Sequence, residues 1–284
     1  MELGIGNYYI DRYGIDEGAR RMVADGYTYI DFQLLDTDSE IYAARDDDFF
    51  RSVVDIKRAL AAGGVKVSQI HGPWRYPPRD ATDEDRAERF EKMTKAMVVA
   101  RHLGAKYMAI HPLMPYGAYS SESPDEVLSI NKSFFSALAN VARSLGITVC
   151  LENMPFPDFP LSGVEQITDF IRDIDHPNLK MCFDTGHANI FPIRMSEQLE
   201  YAKDYIRIIH VHDNLADEDT HMHPYDGNID WMDFAEGLYN IGYSGIFNLE
   251  TAPVRYRERH LSFTDEEVAE REQKLARIAA LIAG

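Results

Sequence analysis

Short apolar runs rich in β-branched and aromatic residues alternate along this chain with longer segments of helical period, and eight of the short runs read as strands. They are LGIGN from Leu3, TYIDFQL from Thr28, VKVSQIH from Val65, KYMAIH from Lys106, ITVCLE from Ile147, LKMCFD from Leu179, IRIIHVH from Ile206 and GIFNLE from Gly245. Between them ATDEDRAERFEKMTKAMVVARHLG and SPDEVLSINKSFFSALANVARSLG predict helices, as does TDEEVAEREQKLARIAALIAG at the C-terminal end. Each of these opens on a Thr or Ser cap followed by acids, and each closes near a glycine, as helix-end chemistry prefers. Alternating strands and helices build a parallel sheet. Eight such units predict a closed (β/α)8 TIM barrel, a single α/β domain over residues 1–284. No GxGxxG or P-loop follows any strand, which removes the usual support for a nucleotide-binding sheet.

Charge narrows the partners. With 29 basic against 47 acidic residues the formal charge is −18, which repels nucleic acid and acidic membrane surfaces but leaves room for a compact anion clamp. Cys150 and Cys182 lie in apolar strand-like runs without a CxxC pair, so reduced, buried thiols in a cytoplasmic protein are expected. The first residues, MELGIGNYYIDRYG, lack a basic segment followed by an apolar stretch, and no run reaches membrane-spanning length.

Carboxylates and imidazoles recur where the strands end. His71 in QIHGP, His111 in AIHP, Glu152 in CLEN, Asp184 and His187 in FDTGH, His210 in HVHDN and Glu250 in NLE sit at or just past predicted strands; Asp219 and His221 follow in the loop after the seventh. Strand C-termini of a barrel meet at one face, so these distant residues can converge on divalent metal. Gly186 suits a tight turn beside that site. His212 projects to the same side as His210 and serves as a support for a ligand or as a substrate contact. His102, His176 and His260 read as structural, His223 as exposed, and Trp231 as packing at the start of a helix.

Two loops could recognise a small substrate. PWRYPPR brings Trp74, Arg75, Tyr76 and Arg79 beside His71, a mixture suited to stacking on a sugar face and binding an anion, although a proline-stiffened surface loop explains it equally. TAPVRYRERH supplies Arg255, Arg257 and Arg259 near where barrels often bind phosphate; a homo-oligomer contact or a solvated face fits the same segment. The loop after the second strand, LLDTDSEIYAARDDDFF, is acidic. On the active face it would oppose DNA, and otherwise it caps and solvates the second helix.

In order, HGP, IHP, LEN, DTGH, HVHDN, DxH followed by DGNIDW, and the terminal LE resemble the xylose isomerase-like barrel superfamily over nearly the whole chain. That superfamily includes endonuclease IV and many sugar epimerases and isomerases. Its endonuclease IV branch implies a three-metal cluster: Glu152, Asp184, His210 and Glu250 at the centre, His71 and His111 sharing Glu152 at a second site, and His187, Asp219 and His221 at a third. Its epimerase branch implies one ion, commonly manganese, on the central quartet, with Glu152 and Glu250 exchanging protons with substrate. The DxH pair departs from the ketose epimerases, where a substrate-binding arginine tends to stand. The resemblance thus implies a metal-dependent isomerase or epimerase of a sugar or sugar phosphate. The rivals are an endonuclease IV-like phosphodiesterase and a metal-holding barrel that binds a sugar or a partner without turnover. One to three ions are expected, manganese or zinc, with magnesium or cobalt as alternatives. Trp74, Arg75, His187, His212 and Arg255 are the expected substrate contacts.

Overall fold

A computed structural model describes residues 1–75, 77–78, 80–251 and 264–284. Eight parallel strands close in sequence order into a barrel: β1 (Leu3–Ile5), β2 (Tyr29–Gln33), β3 (Lys66–His71), β4 (Tyr107–Ile110), β5 (Thr148–Glu152), β6 (Leu179–Asp184), β7 (Ile206–Val211) and β8 (Phe247–Leu249). β8 pairs with β1, so no sheet edge remains. The helices are α1 (Tyr8–Tyr13), α2 (Ile15–Asp25), α3 (Glu40–Ala43), α4 (Asp46–Gly63), α5 (Asp83–Leu103), α6 (Pro124–Leu145), α7 (Val164–Ile174), α8 (Thr185–Asn189), α9 (Met195–Ala202), α10 (Trp231–Asn240) and α11 (Asp265–Ala283). Among the described residues no helix is long and apolar enough to cross a membrane.

Strand alternation sorts the side chains. Val149, Leu151, Met181, Phe183, Ile209, Val211, Phe247 and Leu249 belong to the main apolar core shared with the helices. The intervening parity carries Cys150 and Glu152, Cys182 and Asp184, and Ile208 and His210. Ala109, Cys150, Cys182 and Ile208 form a small separate apolar cluster. The barrel is thus apolar at its lower interior and polar at the C-terminal ends of its strands. Both cysteines are free and buried, and burial pushes their thiols up.

Helix ends follow the expected chemistry at α5 and α11. Thr82 and Thr264 each close a capping box, with Asp85 and Glu267. Ser123 does not cap α6: its backbone is left-handed, φ 44°, and its side chain makes no capping bond, so Pro124 starts the helix instead. Along α6, Val127, Phe135, Leu138, Ala139 and Ala142 form the buried stripe. The buried Asn131 in the same stripe ties the loop after β4: its Oδ1 accepts from the Leu113 N–H (2.8 Å) and its Nδ2 donates to the Leu113 carbonyl (3.0 Å).

Candidate metal centre

The nine residues expected from the strand ends do converge. Glu152, Asp184, His210 and Glu250 offer ligand atoms that all lie within 4.8 Å of one another, and two further groups, His71, His111 and Glu152, and His187, His212, Asp219 and His221, meet the same limit. At the centre, His210 Nδ1 stands 2.6 Å from Glu250 Oε2 and 3.1 Å from Glu152 Oε1. Glu152 Oε2 faces His71 Nε2 at 3.4 Å and His111 Nε2 at 3.3 Å. Asp219 Oδ2 takes His221 Nε2 at 3.1 Å and His187 Nε2 at 3.5 Å.

Ring tautomers are set by the backbone. His71 Nδ1 lies 3.0 Å from the Gly72 carbonyl, His187 Nδ1 2.7 Å from that of Asn153, and His221 Nδ1 2.7 Å from that of Glu250. A carbonyl oxygen can only accept, so each ring carries a proton on Nδ1 and turns Nε2 inward, the nitrogen that a cation would take once any second proton has left. That is how metal-binding imidazoles are oriented.

The electrostatics point the same way. Burial alone would raise the carboxyls of Glu152 and Glu250, yet His210 and its neighbours hold both well below the usual range. Burial would lower His187, but Asp184 and Asp219 lift it to about 10; at His111 burial prevails and pushes the imidazole down to about 4. Several buried polar atoms find no hydrogen-bond partner among the described residues: both oxygens of Asp31, Glu152 Oε2, Asp184 Oδ2 and both ring nitrogens of His212. Orphaned lone pairs are costly, and a cation is the ligand that would satisfy several at once. Oxygen and imidazole donors in these three groups fit a divalent metal.

Local structure shows why these residues reach the site. Asp184 is also the N-cap of α8 and accepts from the His187 N–H (2.7 Å), so FDTGH is a strand that runs directly into a helical turn. Gly186 does not provide a tight turn. It lies in α8, and a Cβ there would stand 1.9 Å from His212 Cε1, so glycine leaves room for that imidazole. His212 is buried, with Nε2 3.0 Å from Asp184 Oδ1 and its ring stacked 4.0 Å from that of His221. It joins the ligand group of Asp219 rather than the cavity wall.

Other expectations need correction. His223 is buried, 5% exposed, because the loop after β7 folds back through a two-way backbone pairing of Asp213 with Met222, both bonds 2.8 Å. Arg75 turns away from the centre: its Nε donates to Thr37 Oγ1 (2.9 Å) and its Nη2 to Glu88 Oε1 (3.2 Å). Trp74 does line the site, edge-on to His111 at 4.3 Å. Trp231 packs at the start of α10, as expected, and donates its indole N–H to Asp213 Oδ2 (3.0 Å). Asp47 and Asp48 lie in the first turn of α4, whose N-cap, Arg45, makes no side-chain capping bond. Tyr76, Arg79, Arg255, Arg257, Arg259 and His260 lie outside the described residues.

Three site residues were not foreseen. Asp31, Gln33 and Gln69 surround the centre: Gln33 Nε2 donates to Glu250 Oε1 (3.2 Å), and Asp31 and Gln69 face His210 Nε2. All three share strand parity with the ligands, so alternation within YIDFQ and VSQIH carried the signal.

Above the centre opens a cavity of about 670 Å³. His71, His111, Glu152, His187, Asp219, His221 and Glu250 form its floor, and Trp74, Tyr119, Met154, Phe156 and Ile190 form an apolar wall. Asp217 and Glu218 also line it, and among the described residues no lysine or arginine does.

A closed eight-stranded barrel with candidate metal ligands at the C-terminal ends of its strands defines the class, a TIM barrel. Residues 19–278 match the profile of the xylose isomerase-like TIM barrel, and the chain belongs to that family. It is 30% identical over 219 residues to the uncharacterized protein MJ1311 of Methanocaldococcus jannaschii, covering 72% of this chain and 73% of that one. It is also 30% identical over 205 residues to the D-psicose 3-epimerase of Ruminiclostridium cellulolyticum, covering 69% and 67%. The fold is shared with D-psicose 3-epimerase from Clostridium cellulolyticum H10 with D-tagatose, at TM-score 0.77, 17% identity and 99% coverage of both chains. It is shared too with the IolI protein with a bound zinc atom, at TM-score 0.76 and 19% identity, over 99% of this chain and 97% of that one.

Proposed function

We propose that this protein is a divalent-metal-dependent sugar isomerase or epimerase that moves a proton at the carbon beside a carbonyl. The observation that carries this reading is the meeting of Glu152, from β5, and Glu250, just past β8, at His210 Nδ1 on the floor of one cavity. A curated relative at 30% identity is named D-psicose 3-epimerase, which supports a ketose as substrate.

Glu152, Asp184, His210 and Glu250 would hold the ion, manganese or zinc by the family resemblance and magnesium or cobalt by the same donor set. Bound there, it would polarise the carbonyl and the neighbouring hydroxyl oxygen and so favour the enediolate. Glu152 and Glu250 act as the proton carriers, one removing the proton and the other delivering one to the opposite face. The surrounding imidazoles outweigh burial and keep both ionised, so a base is ready on either side. The Gln33 amide holds one oxygen of Glu250 and leaves the other toward His210. Trp74 offers a ring for the sugar face, His187 reaches the same space, and the apolar wall limits water.

One observation favours a second reading, a multi-metal phosphodiesterase resembling endonuclease IV: all nine expected ligands gather in three groups, two of which share Glu152. The formal charge of −18 opposes a polyanion. The test joins elemental analysis to turnover of D-psicose, D-fructose and D-tagatose in deuterium oxide. Deuterium at the epimerised carbon supports the proposal. Three ions per chain with cleavage of duplex DNA and no exchange into any sugar overturns it.

A further inference from the structure

The His210 imidazole has two ends, and the quartet uses only one. Nδ1 faces Glu152 and Glu250, while Nε2 points into the barrel, 3.4 Å from Asp31 Oδ2 and 2.6 Å from Gln69 Nε2. Asp31 is 1% exposed, and neither of its oxygens has a hydrogen-bond partner among the described residues. A buried carboxylate in that condition is expensive unless something supplies a hydrogen to it. We propose that Asp31 is a positioning residue for His210: it accepts the Nε2–H of the ring when Nδ1 takes a cation, so that metal loading and ring tautomer are set together.

A neutral imidazole carries one proton, and the nitrogen that binds a cation must be bare, so the proton then sits on the other nitrogen. The polar chain below His210 can accommodate either choice. In one setting Ser68 Oγ donates to Asn248 Oδ1 (2.9 Å), Asn248 Nδ2 donates to Gln69 Oε1 (2.9 Å), and Gln69 Nε2 donates to a bare His210 Nε2. The ring proton is then on Nδ1, facing Glu250 and blocking a cation. In the other setting both amides are turned over. Nε2–H points at Asp31 and Gln69 Oε1, Gln69 donates to Asn248 Oδ1, Asn248 donates to Ser68 Oγ, and the Ser68 hydroxyl turns to the Ile30 carbonyl, 2.9 Å away. An amide can serve either setting because it both donates and accepts. A carboxylate only accepts, so Asp31 favours the setting that frees Nδ1.

The backbone is arranged to bring these groups together. The β2–β3 register slips by one residue after Ile30, so Asp31 pairs with Gln69 rather than with Ser68, and both Ser68 and Gln69 reach the network. Gly4 on β1 has no side chain because a Cβ there would stand 2.2 Å from Asn248 Oδ1.

The inference rests on the quartet holding a cation, and the experiment separates the two failures. Apo protein is titrated with zinc against a chelator for wild type, Asp31→Leu and Asp31→Asn, with circular dichroism confirming the fold. Loss of an outer partner of a ligand imidazole lowers affinity by about 10- to 100-fold, expected for Asp31→Leu. Asp31→Asn keeps an acceptor and should lose less. In zinc-loaded wild type, long-range proton–nitrogen NMR, assigned by His210→Gln, should place the His210 proton on Nε2. Wild-type affinity in folded Asp31→Leu, or a proton on Nδ1 in the loaded protein, overturns the inference. If Asp31→Leu does not fold, wild-type affinity in Asp31→Asn overturns it instead. Wild-type protein that binds no ion defeats the reading of the quartet itself.

Discussion

Asp213→Ala tests whether one carboxylate holds the loop that delivers Asp219 and His221. Its oxygens accept from the Asn214 N–H (2.9 Å), the Ile229 N–H (3.2 Å), the Tyr225 N–H (3.0 Å) and the Trp231 indole (3.0 Å). Tyr225 is exposed, so its N–H finds water when the acceptor goes; Asn214, Ile229 and Trp231 are buried, and their donors stay dry. Hydrogen bonds to a charged acceptor contribute about 1.5–3 kcal/mol each, and three lasting orphans near the lower figure make a loss of about 4–5 kcal/mol. At roughly 2–4 °C per kcal/mol for a domain of this size, Tm should fall by about 8–20 °C. Urea unfolding measures the free energy, and zinc titration reads the site that the loop carries. Because Asp219 and His221 ride on this loop, the zinc affinity of their group should fall with stability. Asp213→Asn, which keeps one acceptor oxygen, should lie between. A folded Asp213→Ala within about 1 kcal/mol of wild type would refute the argument.

Glu152→Gln and Glu250→Gln should each lower kcat by about 10²-fold or more while far-UV circular dichroism stays unchanged, since the amide keeps the shape but cannot carry the proton; near-wild-type turnover removes that residue from the chemistry. Trp74→Ala should raise KM about three- to tenfold with kcat little changed, as expected for a lost aromatic contact, and unchanged steady-state kinetics would make its loop scaffold only. Zinc affinity at the His187 group should climb with pH by about tenfold per unit for each proton displaced, because His187 holds its proton up to about 10 and a cation must remove it. Calorimetric titration at several pH values checks the sign, and a flat or falling affinity between about pH 6 and 9 contradicts it.

Much of this protein was legible from its residues in order. Apolar runs of strand length, alternating with capped segments of helical period, sufficed for eight strands and their closure, because parallel strands joined by helices have few other ways to bury both faces. The convergence of the candidate ligands was legible for the same reason: a strand end is a fixed place on a barrel, so Glu152, Asp184, His210 and Glu250 could be assigned to one face before any contact was known. Tertiary structure alone decided the rest. Which way Arg75 turns depends on Thr37 and Glu88 being nearer than the cavity. Whether His223 is buried depends on a backbone pairing between Asp213 and Met222 within the loop. The roles of Asp31 and Gln69 depend on a one-residue slip between neighbouring strands. Period and placement are properties of local sequence, whereas side-chain direction, ring tautomer and the company of a buried carboxylate arise only when segments far apart in the chain are packed against one another.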